Sequence, residues 1–185
     1  MIEAELKARV HAPEEVLRRL DGLAVGRTEV YKDTYYDDPE GSLDRRDQEL
    51  RIRTVHGPDD TCSILTFKDA KVDEASGSKP EHETHVTDPE AVHAMLRGMG
   101  YVPVIAFEKR CRNYEFEARG RQMLATLVRV PEVDGTFLEL ETLVEEHEVQ
   151  GALEDVRAVL LQLGIGAEDL TRERYTDGVR AHRAA

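Results

Sequence analysis

The sequence predicts an α+β fold built on a mainly antiparallel sheet whose strands close into a barrel. Two observations carry this reading. Roughly eight short runs alternate apolar and polar side chains, are rich in β-branched and aromatic residues, and are separated by turn-like clusters. Helical periodicity is confined to a few segments, and the order of strand, helix, many strands, helix, strands, helices lacks the regular alternation of a parallel sheet. So many antiparallel strands in 185 residues leave open edges unless the sheet closes. A chain of that length buries a real core, and 1–185 reads as a single domain.

The first strand is expected near 2–10, where Glu3, Glu5 and Lys7 share one face and Ala4, Leu6 and Ala8 the other. A helix follows over 13–23, opened by Pro13 and striped by Val16, Leu17, Leu20 and Leu23. Strands are expected near 30–36, 49–55, 62–68 and 81–87, with 69–79 (DAKVDEASGSK) as a mobile loop. The stretch 88–100 begins on an Asp-Pro cap, ends at Gly100 and reads as a helix. Strands near 104–117, 122–130 and 136–144 follow. A helix over 146–163, with Val149, Leu153, Val156, Leu160 and Leu163 on one stripe, then stops at Gly164. A weaker helical pattern covers 168–183.

Net charge is −13, from 25 basic and 38 acidic residues, which argues against a general binder of duplex nucleic acid or of membrane surfaces. No apolar run approaches a membrane span, and no charged-then-apolar leader opens the chain, so a cytoplasmic address is expected. Cys62 and Cys111 make neither a disulfide framework nor a metal-ligand spacing, and each reads as a plain buried thiol. His82 and His85 fall on opposite faces of one strand and make a poor metal pair.

The opening pattern recurs along the chain. Arg51 and Arg53 share a face in ELRIRTV, as do Thr66 and Lys68 in SILTFKD, Glu81 and Glu83 in PEHETHV, and Glu139 and Glu141 in TFLELET. The signs are segregated: Arg51, Arg53 and Lys68 are basic, while Glu3 with Glu5 and Glu139 with Glu141 make two acidic E-x-E pairs. A solvated sheet would interleave them, because like charges directly opposite destabilise a strand pair. Two E-x-E strands side by side would need a cation between them, and carboxylate oxygens suit Mg²⁺ or Mn²⁺. The bases suit phosphate oxygens, with arginine giving forked hydrogen bonds. Acid with metal on one wall and base on another describes a polyphosphate site.

The ordered string of motifs resembles the CYTH superfamily, or triphosphate tunnel metalloenzymes. It comprises E-x-E-x-K at Glu3, Glu5 and Lys7, KDTYYD at 32–37, LRIR at 50–53, LTFK at 65–68, and E-x-E at Glu81 and Glu83. EKRCRNY at 108–114, GTFLELE at 135–141 and RYTDGV at 174–179 complete it. The resemblance implies an eight-stranded antiparallel barrel with a charged lumen and helices on its apolar outside. By the same resemblance, Glu3, Glu5, Glu139 and Glu141 are metal ligands for Mg²⁺ or Mn²⁺, and Glu81 and Glu83 are further lumen acids. Lys7, Arg51, Arg53, Lys68 and Lys109 bind the triphosphate, and Lys7, Tyr35 and Lys68 are catalytic.

The chain departs from the family at three positions. Val128 in LVRV (127–130) stands where an aspartate is usual, with Asp134 and Thr126 the nearest substitutes in sequence. Cys111 stands where arginine is common; Arg110 and Arg112 are the substrate-binding candidates beside Lys109 on that strand, and either compensates only through a bulge or a side chain reaching around the strand. Lys79 replaces an arginine two residues before Glu81. The implied substrate is a nucleoside triphosphate or another triphosphate. The first reading is a class IV-type adenylyl cyclase making cyclic AMP and pyrophosphate from ATP, and by analogy a homodimer. The alternative is a hydrolase of tripolyphosphate or thiamine triphosphate, and the second alternative a non-catalytic nucleotide or polyphosphate binder.

Overall fold

The computed structural model describes residues 1–73 and 77–185. Eight strands, β1 (Ile2–Arg9), β2 (Arg27–Asp37), β3 (Glu49–His56), β4 (Thr61–Lys68), β5 (Lys79–Val86), β6 (Val102–Ala118), β7 (Arg121–Arg129) and β8 (Phe137–Val144), form the sheet. They close into a barrel in the order β1-β5-β4-β3-β2-β6-β7-β8, every neighbouring pair antiparallel. The expected fold class is the observed one. Among the described residues five α-helices lie outside: α1 (Pro13–Asp21), α2 (Ser42–Arg45), α3 (Pro89–Gly98), α4 (Val149–Gln162) and α5 (Tyr175–Ala184). No helix among the described residues is long and apolar enough to cross a membrane.

The outward faces of β1 and β8 make the main core. Ala4, Leu6, Ala8, Leu138 and Leu140 pack under Leu153, Val156 and Leu160 of α4, all buried. The alanines have no bulk to hold the helix off, so α4 lies close against the strand. Its end follows the sequence signal. Gly164 takes a left-handed φ of 85°, the Ile165 amide donates to the Leu160 carbonyl at 2.9 Å, and Ile165 is buried beneath the turn. The start differs, because a short 3-10 turn (Glu146–Glu148) precedes α4. At α3 the Asp88 carboxylate accepts from the Ala91 amide at 3.0 Å, as the cap signal implied. A smaller outer cluster joins Leu96 of α3 to Tyr36, Leu43, Leu50 and Ile52.

The weak pattern over 168–183 resolves into three pieces: a 3-10 turn (Ala167–Asp169), an extended strap, and α5 from Tyr175. The strap crosses one barrel end, bridging Leu170 to Ala8, and the Thr171 amide donates to the Lys7 carbonyl at 2.9 Å. A helix cannot make those bonds, which is why helicity begins later than the spacing suggested. The expected mobile loop over 69–79 is partly outside the described residues, at 74–76; its flanks are tied by the Val72 amide to the Ser78 carbonyl and by Gln150 to Asp73.

Leu153→Ala should destabilise the protein by about 2–5 kcal/mol, because the buried site beneath α4 cannot collapse fully. A urea denaturation series on the two proteins measures it.

A charged barrel lumen as candidate active site

Closure turns one alternating face of each strand inward, and the charges follow. Glu5 stands directly opposite Glu141 across the β1–β8 pair, and Lys7 opposite Glu139. Oxygens of Glu3, Glu5 and Glu141 converge within 4.8 Å of one another. Burial, then Glu139 and Glu3, push the Glu5 carboxyl up to about 8. Burial, then Glu3 and Glu5, also hold Glu141 above the carboxylate range. Glu3 goes the other way: burial would raise it, but the Lys68 ammonium that donates to it outweighs burial. An all-oxygen set crowded with negative charge fits a hard divalent ion such as Mg²⁺ or Mn²⁺.

The bases come from β3, β4 and β6, and they are not equivalent. Arg53 is locked by a forked pair of hydrogen bonds to Asp33, at 2.7 and 2.8 Å, with its guanidinium 4.4 Å from the Tyr31 ring centre. Lys109 lies 3.7 Å from the same carboxylate. Asp33 is 1% exposed; burial would raise it, yet Arg53 and Lys109 keep it well below its ordinary range. Arg51 is also buried, but its ion pairs are loose, at 3.7 Å to Glu49, 3.8 Å to Glu81 and 3.9 Å to Glu83, and its Nε has no partner. Lys68 bridges Glu3 and, at 3.4 Å, Glu81. Burial, opposed by Lys68 and reinforced by Glu3 and Glu83, lifts Glu81 to about 7.

One cavity of about 1030 Å³ gathers these groups. It reaches Lys7, Tyr35, Lys79 and Lys109 as well, and opens past Val102 and Val104, which are about two-fifths exposed. Two of the expected substrate-binding bases are not there. Arg110 pairs with Glu108 at 3.4 Å on the barrel exterior, and Arg112 reaches Asp21 of α1 at 2.9 Å. The pairing of β6 with β7 runs without a bulge from Arg110 to Ala118, so strict alternation sends Lys109 and Cys111 inward and their neighbours outward.

The two main departures turn out to be neighbours. Cys111 is the cross-strand partner of Val128, and Val128 of Phe137. These buried residues form an apolar collar, closed by the Tyr175 ring, which stands nearly perpendicular to Phe137 with ring centres 5.3 Å apart. Burial pushes the Cys111 thiol up to about 12, which leaves it inert at neutral pH. Thr126, opposite Glu139, lines the cavity, whereas Asp134 sits on the β7–β8 turn with its carbonyl toward Arg9. Lys79 turns to Asp47 at 2.9 Å.

Tyr35 stacks on Phe107, with ring centres 5.6 Å apart, and its hydroxyl donates to Asp33 at 3.4 Å. Burial raises its pKa, so it stays a phenol. The tyrosine beside Lys7 is instead Tyr175: the ammonium lies 4.5 Å from that ring centre and donates to the Glu173 carbonyl. Sequence reasoning singled out neither Asp33 nor Tyr175, although each sits inside a quoted motif and Asp33 shares the alternation of Tyr35.

Two tests follow from these charges. Glu5 holds its proton to about 8 when folded against an ordinary value of 4.5, so the folded state binds more protons between those values. The metal-free protein should therefore lose stability as pH rises from 5 to 8.5, and Glu5→Gln should flatten that slope; melting temperatures in chelator check both. Asp33→Asn leaves Arg53 and Lys109 facing a neutral group and should cost about 3–5 kcal/mol in chemical denaturation.

The CYTH domain family model matches residues 1–175. A Methanocaldococcus jannaschii protein provisionally named an adenylate cyclase is 24% identical over 96% of this chain and 98% of its own. The solved PH1819 protein of Pyrococcus horikoshii superposes with a TM-score of 0.82 at 27% identity, covering 97% of this chain and 98% of its own. A Hippeastrum protein, provisionally named an adenylyl cyclase and described as having a dominant triphosphatase activity, shares the fold at a TM-score of 0.65 and 18% identity, over 97% of this chain and 95% of its own. With a charged antiparallel barrel in hand and a family match along nearly its whole length, this chain belongs to the CYTH domain family.

Proposed function

We propose that the lumen binds the triphosphate of ATP together with Mg²⁺ or Mn²⁺ and forms cyclic AMP and pyrophosphate. The observation that carries this reading is Arg51, a buried guanidinium without a tight carboxylate partner, facing three converging glutamates in the same cavity. Glu3, Glu5 and Glu141 would hold the ion, which when bound neutralises phosphate charge and activates an oxygen nucleophile. Arg51, Lys68 and Lys109 would take the phosphate oxygens. Arg53, already committed to Asp33, would act as a fixed positive wall. The ribose 3′-hydroxyl loses its proton to solvent, its oxygen bonds to the α-phosphorus, the bond from that phosphorus to the bridging oxygen breaks, and pyrophosphate leaves. The cavity volume and its apolar lip at Val102 and Val104 suit a whole nucleotide better than a bare polyphosphate.

Hydrolysis at the terminal phosphorus is the second reading, favoured by the activity described for the Hippeastrum relative and by the same charged walls. A tunnel that binds without turnover is the third, favoured by the apolar collar at Cys111 and Val128.

Phosphorus NMR of the protein incubated with ATP and Mn²⁺, beside a tube of tripolyphosphate, separates the three. Cyclic AMP with pyrophosphate is the expected result; phosphate alone moves the protein to the triphosphatases, and thermal stabilisation without turnover makes it a binder. Arg51→Ala should lower kcat/KM by about 10²–10³-fold, the scale of losing a preorganised charge donor. Arg110→Ala, on the barrel exterior, should leave it within about twofold, as distant surface changes do.

A further inference from the structure

We infer that this lumen holds a single divalent ion, and that Glu139 is not one of its ligands but the counter-charge that positions Lys7 and Lys109. The inference deepens the cation-dependent reading of the lumen and rests on it.

The four lumen glutamates of β1 and β8 divide in two. Oxygens of Glu3, Glu5 and Glu141 come together, and Glu139 stays outside that group. The cation set faces Arg51, whose buried Nε has no partner and is a ready contact for an anion drawn in beside the ion. Glu139 has different company. Across one edge its partner is Lys7, and across the other it is Thr126. The next layer of the same two strands is Val128 and Phe137, with Cys111 beyond. A hard ion takes six or more oxygens, and this layer offers one carboxylate and the hydroxyls of Thr126 and Tyr175.

The positive charge is already present there. The Lys7 and Lys109 ammoniums lie 4.5 and 4.6 Å from the centre of the same Tyr175 ring. The Tyr175 hydroxyl is buried and stands close enough to the Glu139 carboxylate that this charge, after burial, raises its pKa. A second divalent ion at Glu139 would sit against two ammoniums, and the other carboxylate beside them, Asp33, stands 3.7 Å from Lys109 and is already bound to Arg53. The lysines therefore supply the charge a second ion would bring, and Glu139, directly across from Lys7, would hold them toward the cavity together with the Glu173 carbonyl to which Lys7 donates and the Asp33 carboxylate beside Lys109.

Manganese titration followed by electron paramagnetic resonance decides the point, with water-proton relaxation counting the waters on bound Mn²⁺. The expected wild-type result is one Mn²⁺ per chain. Glu139→Gln should keep that ion with the same number of bound waters and an affinity within about tenfold, the lower end of an outer-sphere change. Glu141→Gln should add a bound water and weaken binding beyond about 100-fold, past what an outer partner costs. In the metal-free protein the Lys7 and Lys109 ¹⁵Nζ signals should move in Glu139→Gln and stay in place in Glu83→Gln. Two ions per wild-type chain, an added water in Glu139→Gln, or unmoved lysine signals would each overturn the inference. If Glu139→Gln does not fold, the wild-type stoichiometry still decides between one ion and two, and Glu139→Asp takes its place in the water count and the lysine signals. A wild-type protein that binds no Mn²⁺ would instead overturn the cation reading of the lumen.

Discussion

Glu5 directly opposite Glu141 is the contact around which the site is arranged. Like charges in that position repel, and burial strengthens the repulsion. What forces them together is the other face of the same strands. Ala4, Leu6, Ala8, Leu138 and Leu140 must all meet α4, and a slip of one residue would turn every glutamate into that apolar layer. Each large apolar side chain buried there contributes about 1.5–3 kcal/mol, enough in sum to hold an unfavourable pair inside. The exterior packing thus sets the interior chemistry, and the repulsion it leaves is what a cation would relieve.

The basic side uses the opposite device. Asp33 is fully enclosed and accepts two short hydrogen bonds from Arg53 while standing near Lys109. One carboxylate therefore serves two bases and leaves Arg51 loosely attended. A lumen in which every base was tightly paired would have no attraction left for a phosphate. One in which none was paired would not fold around so much buried charge. Asp33 sets the balance between these extremes.

Much of this was legible in the sequence, for a physical reason. The alternation of Glu3, Glu5 and Lys7 against Ala4, Leu6 and Ala8 is a property of a strand alone, and so is that of Arg51 and Arg53 against Leu50 and Ile52. Those faces appear as read. The rest depended on which strands are neighbours. Nothing in LVRV or EKRCRNY announces that Val128 and Cys111 lie across from each other, so two separate losses looked like two defects where the barrel shows one apolar collar. The same holds for Arg110 and Arg112. Charge made them candidates, but only an unbroken register decides that they face outward. Tyr175 was hidden differently: the helical pattern over 168–183 concealed a strap that brings its ring within 4.5 and 4.6 Å of two lysine ammoniums from different strands.

The seam of the barrel has a consequence for how the chain folds. β1 meets β5 through only two registered pairs, at Ile2 with Pro80 and Glu3 with Lys79, while its long partner is β8. Along β2–β3–β4–β5 and β6–β7–β8 the neighbours are close in sequence and can form early at small loop-closure entropy. β1 has no such partner. On a ribosome it emerges first and must wait for the last strand before its apolar face is covered, which makes its pairing the highest-separation event of assembly. Alternating charge along β1 keeps that waiting strand soluble. The residues that crowd one another in the finished lumen are the ones that protect the unfinished chain.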